Sequence, residues 1–246
     1  MDWSLFWSHW AWPLATALIS LLFAFLIVRQ YADRGQLHQL AWSLGFLLYS
    51  VAAFMEAYSE YSQTWNHTVY RIYIVLAVSL VGFLGLGVLY LIPRRKVWGH
   101  VFLGYTVVML VVFLVGTFSR PLVEEQLVAG ITVGGKALGD SMAFPRVCSL
   151  FFNIPGTLFL LGGAVYSIIR FLPRKEFAFR VWANVLIALG TLVIAGAGSR
   201  ARAGQTIGLY PAEMIGATLL LWGFLKASTL KKGAAASREE RQRAEQ

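Results

Sequence analysis

The chain is 246 residues long, 58% hydrophobic and only 13% charged, with a mean hydropathy of +0.63 and a net charge of +9. Soluble domains carry about 25% charged residues, so this composition argues against a soluble globular fold and makes lipid the solvent. The basic residues sit in short connections between apolar runs, where membrane topology accounts for them and a nucleic-acid partner does not. Cys148 is the single cysteine, which leaves no intrachain disulfide, no CxxC pair and no cysteine-based metal site.

Bilayer hydrocarbon is roughly 30 Å thick and a helix rises about 1.5 Å per residue, so about 20 apolar residues make a span. Seven runs meet this rule. The first, Trp10 to Val28, follows an N-terminus without Lys or Arg and so lacks the basic start of a signal peptide. The others run from His38 to Ala57, Arg71 to Ile92, Val97 to Phe118, Arg146 to Phe171, Phe177 to Gly198 and Thr206 to Thr229. Between the fourth and fifth, Ser119 to Pro145 is a long loop. Its segment Ile131 to Gly139 alternates around Gly134 and Gly135 as a short β-hairpin does, which would let it lie over one mouth of the bundle. The expected organisation is a transmembrane bundle over residues 1–230 and a polar tail over 231–246.

Most of the 21 Lys and Arg, including Arg94, Arg95, Lys96, Arg174, Lys175, Lys231 and Lys232, fall on one side of these spans. The positive-inside rule then puts the N-terminus outside and the C-terminus in the cytoplasm, as in a multi-pass protein of a bacterial inner membrane.

The first three spans align with the last three at a near-constant spacing of 140 to 142 positions. Pro13 falls on Pro155, Arg29 on Arg170, Trp42 on Trp182, Ser59 on Ser199, Tyr70 on Tyr210, and Gly82-Phe83-Leu84 on Gly223-Phe224-Leu225. The fourth span is then a linker that lets both triplets run in the same direction. This 3+1+3 plan resembles the SWEET and PQ-loop transporters and the microbial rhodopsins. The Pro-Gln pair of the former is absent, and Lys226 lies at the basic end of span 7, away from the mid-helix position of a retinal-bearing lysine. On Tyr70, Arg71, Tyr73, Gly85, Gly87, Tyr90 and Leu91, the stretch from Trp42 to Leu91 resembles bacterial seven-helix membrane proteins without an assigned activity.

Ionisable groups inside a span are costly and so mark candidate sites. Glu213, Glu56 and Arg71 fall at similar depth near the outer ends of spans 7, 2 and 3, with Tyr73 beside them. Two arrangements fit: a polar pocket that binds a ligand or relays a proton, or an ordinary ion pair of Glu56 with Arg71 and of Glu213 with Arg146 or Arg200. Trp65 and Tyr73 offer rings for stacking a sugar or quinone, or belong to the interfacial aromatic belt. Asn153 stands two residues before Pro155, a proline that frees a helix carbonyl; the amide either satisfies that carbonyl or faces a ligand. Gly82, Gly85, Gly87, Gly162, Gly163, Gly190, Gly196 and Gly198 are expected at close helix contacts.

No HExxH, GxSxG or Walker sequence is present, so no catalytic or metal-binding constellation is visible and the cofactor stays open. The leading expectation is a membrane binding or transport module for a small polar or amphipathic ligand, with an extracytoplasmic pocket. A sensor or accessory subunit docking a protein through its basic cytoplasmic face comes second. An enzyme acting on lipid or quinone comes third.

Overall fold

The computed structural model describes residues 9–91, 96–128, 135–140, 142–173, 178–205 and 207–244. They form seven long helices: α1 (Ala11–Arg34), α2 (Leu37–Ser62), α3 (His67–Leu91), α4 (Lys96–Phe118), α5 (Phe144–Phe171), α6 (Ala178–Arg202) and α7 (Leu209–Ala244). No strand occurs among the described residues. Six of the helices are long and apolar enough to cross a membrane, and the chain is a multi-pass membrane protein. The seventh, α7, carries Glu213 within its apolar part and continues as a helix through the polar stretch that follows.

The helices outrun the apolar stretches by several residues, because backbone hydrogen bonding continues past the edge of the hydrocarbon until a residue stops it. Gly35 ends α1 at φ 61°, its N–H bonded to the Tyr31 carbonyl at 2.7 Å. Gln63 ends α2 in the same left-handed conformation, at φ 56°. The start of α3 is capped by Asn66, whose Oδ1 accepts the Thr68 and Val69 N–H groups at 2.9 and 3.4 Å.

Helix neighbours define a closed ring in the order α1, α2, α3, α5, α6, α7, with α7 returning to α1. Helix α4 packs outside this ring, over α3 and α5. Its outer face, with Val97, Val101, Val108, Val111 and Val115, is exposed, as a face turned to lipid must be.

Small residues set the closest approaches. A Cβ on Gly85 would stand 2.8 Å from the Gly156 Cα, and one on Gly156 would collide with the Val81 carbonyl oxygen, so α3 and α5 touch backbone to backbone. Gly190 of α6 meets Gly216 of α7 in the same manner. Gly87 makes room for the Trp42 indole, whose Nε1 donates to the Leu84 carbonyl at 3.0 Å. Gly82 and Gly163 also sit against neighbours, whereas Gly162, Gly196 and Gly198 face open space and correct the expectation of packing there.

The loop expected as a hairpin takes another form. Its described part is a 3-10 turn, Lys136–Leu138, entered through Gly135 at φ 85° and left through Gly139 at φ 111°; Ile131 to Gly134 lie outside the described residues. Here Gly supplies backbone angles that other residues resist. Ala137 and Leu138 are buried with Trp65, Tyr70 and Ile74, so this turn plugs one end of the bundle. The Val123 N–H bonds the Ala137 carbonyl at 2.9 Å, and His67 Nε2 meets Glu124 Oε2 at 2.9 Å, fixing the loop to α3.

Candidate ligand-binding site

A cavity of about 440 Å³ lies within the ring, walled by α2, α3, α5, α6 and α7, touched by Phe113 of α4, and closed at one end by Gly135 and Leu138 of the loop. That volume falls in the range of small-molecule sites. Most of the wall is apolar; its polar groups gather toward the loop end.

Glu56 is buried on α2 beside Ala52 and Ala53, whose small side chains leave the space open in front of it. Tyr73 of α3 donates its hydroxyl to Glu56 Oε1 at 2.6 Å. Glu213, on the second turn of α7, lines the same cavity from across the ring. The second oxygen of Glu213, Oε2, is buried without a partner. Tyr49 of α2 donates to the Glu213 carbonyl at 3.3 Å and holds this part of α7 in place.

One turn further along α2, Glu60 is also buried and accepts the Tyr210 hydroxyl at 2.6 Å. Sequence reasoning missed this second tyrosine-carboxyl pair, although Glu56 and Glu60 stand four residues apart and so share a helix face. That spacing of two acids in an apolar helix was the available signal.

The opposite wall carries guanidinium groups. Arg146, at the start of α5, is 7% exposed and donates to the Gly139 carbonyl at 3.0 Å and the Arg202 carbonyl at 3.3 Å. Arg202, at the end of α6, donates in return to the Arg146 carbonyl and to Ser149 Oγ, both at 2.7 Å. Arg146 Nε is buried without a partner.

The expected site residues therefore divide. Glu56, Glu213, Tyr73 and Asn153 come together around the cavity, with Asn153 on the α5 wall. Trp65 is buried beside them but not on the wall; its ring centroid lies 4.8 Å from that of Tyr73 and 5.6 Å from that of Tyr70, and it serves as packing behind Tyr73. Arg71 turns away, donating to the Thr117 and Arg120 carbonyls and lying over the Phe118 ring. Its guanidinium ties α3 to the end of α4. Among the described residues no ion pair joins Glu56 to Arg71, or Glu213 to Arg146 or Arg200.

The proline question also resolves. Pro155 has no N–H, so the Phe151 carbonyl four residues earlier lacks its helical donor. Tyr105 of α4 supplies one, its hydroxyl donating to the Phe151 oxygen at 2.7 Å, and Asn153 is left to face the cavity. No protein-family model, curated protein or solved structure matches the chain.

Proposed function

We propose that the protein is a seven-span membrane module that binds, or carries across the bilayer, a small polar or amphipathic molecule, with the cavity as its site. One observation carries this reading: two carboxyls, Glu56 and Glu213, stand on the wall of a 440 Å³ cavity, no cation among the described residues forms an ion pair with either, and Glu213 Oε2 is unsatisfied. Buried ionisable groups in a membrane protein are retained for a ligand or an ion path rather than for stability. Glu213 and Glu56 accept hydrogen bonds from the ligand, Tyr73 orients Glu56, and Asn153 offers an amide from the facing helix.

In this reading the loop end, which covers the cavity, faces the extracytoplasmic side, and the basic connections and C-terminus lie in the cytoplasm of a bacterial cell. The order of helices around the ring supports a duplicated plan: α1–α3 and α5–α7 form two arcs joined by equivalent seams, α3 with α5 and α7 with α1, while α4 stands outside as the linker.

The test is the small-molecule inventory that copurifies with the protein, read by mass spectrometry in wild type and in Glu213→Gln. A species present only in wild type is expected; identical inventories would remove the support. Fluorescent-reporter fusions to the C-terminus check orientation, and a signal confined to the extracytoplasmic side would overturn it.

A further inference from the structure

The cavity opens sideways, and the position of this opening bears on which ligand the site takes. Of the residues on its wall, those exposed on the outside of the protein are Ile154 and Leu158 of α5 and Gly198 and Ser199 of α6. Ile154 and Leu158 are 54% and 64% exposed although they line an internal space, which places a gap along the α5–α6 seam. No neighbour stands within 4 Å of where a Cβ on Gly198 would lie, consistent with that gap. Both helices are apolar enough to span a membrane, and Ile154 and Leu158 lie well inside α5, so a lateral route from the bilayer fits this gap.

Inside, Glu213 and Arg146 line the same space, and each keeps one buried polar atom without a protein partner: Glu213 Oε2, an acceptor, and Arg146 Nε, a donor. Arg146 donates from its two terminal nitrogens to the Gly139 and Arg202 carbonyls, which secures the α5 and α6 ends, and among the described residues no carboxylate forms an ion pair with it. A head group with both an N–H donor and an anionic acceptor offers a partner to each of the two side chains.

We infer that the ligand is a zwitterionic membrane lipid bearing a primary amine, which enters through the gap between α5 and α6. Its ammonium binds at Glu213 and its phosphate at Arg146, and its acyl chain passes out through that gap, over Ile154 and Leu158. This rests on the cavity being the ligand site and adds the ligand class and the route.

The experiment exchanges the delipidated protein into bilayers containing equal parts of phosphatidylethanolamine, phosphatidylglycerol and phosphatidylcholine, and counts retained lipids by native mass spectrometry. Phosphatidylethanolamine should be retained over both others by about tenfold, the factor expected of one charge-assisted hydrogen bond. Glu213→Gln should abolish the preference, and so should Arg146→Gln if it folds. Gly198→Phe, which fills open space at the gap without a clash, should slow uptake from the bilayer several-fold. Equal retention of phosphatidylglycerol or phosphatidylcholine overturns the paired-charge recognition. Binding of soluble glycerophosphoethanolamine as tightly as the whole lipid overturns the lateral route. A copurifying molecule of another class, lost on Glu213→Gln, would leave the site intact and remove only this ligand.

Discussion

The phenol of Tyr73 on α3 meets the carboxyl of Glu56 on α2 at 2.6 Å, across a helix hairpin and within the apolar part of both helices. Removing the donor leaves a buried carboxyl oxygen unpaired. Tyr73→Phe is expected to cost about 1–3 kcal/mol, read as a lower midpoint of thermal unfolding in detergent. Tyr210→Phe, which strips the donor from Glu60, should lower it by a similar amount; no change in either variant would show that the carboxyls find other donors.

Glu56 and Glu213 act as one unit. The double variant Glu56→Gln/Glu213→Gln should differ from the sum of the two single variants by a coupling of about 0.5–3 kcal/mol in a double-mutant cycle. Additive effects would argue that the two carboxyls do not interact.

Gly85 and Gly156 leave no room between α3 and α5. Ala at either position has to push the backbones apart, at a cost of about 1–3 kcal/mol. Gly162→Ala is the internal control, since its added methyl meets open space and should leave the melting temperature unchanged or slightly raised.

The His67–Glu124 pair lies in solvent, with 57% and 68% of its side chains exposed. His67→Ala should change stability by less than about 0.5 kcal/mol and lose even that at high salt. A larger effect would mean that the loop depends on this contact and not on the burial of Ala137 and Leu138.

Six of the expected span positions were legible in the sequence because hydrocarbon thickness imposes a length that any apolar run must meet. So was the depth of Glu56, Glu213 and Tyr73, since counting residues from a helix end gives height directly. Rotation about the helix axis was harder to read, because lipid and protein interior are both apolar and a span shows little contrast between its faces. That is why Arg71 was expected beside Glu56 and is found at the end of α4, and why Gly196 and Gly198 looked like packing residues. Tyr210 gave no sign of partnering Glu60, because a tyrosine near a helix end reads equally well as part of the interfacial belt.

The Tyr105 hydroxyl at the Phe151 carbonyl gives α4 a role that its place outside the ring does not suggest. A proline inside a helix beside hydrocarbon leaves one carbonyl without a donor, a polar point to which water is drawn. Tyr105 supplies that donor from outside the ring, so α4 covers the break in α5. Tyr105→Phe should then raise passive ion conductance in reconstituted vesicles even where the fold survives, whereas a tight membrane would show that the break in α5 stays dry unaided.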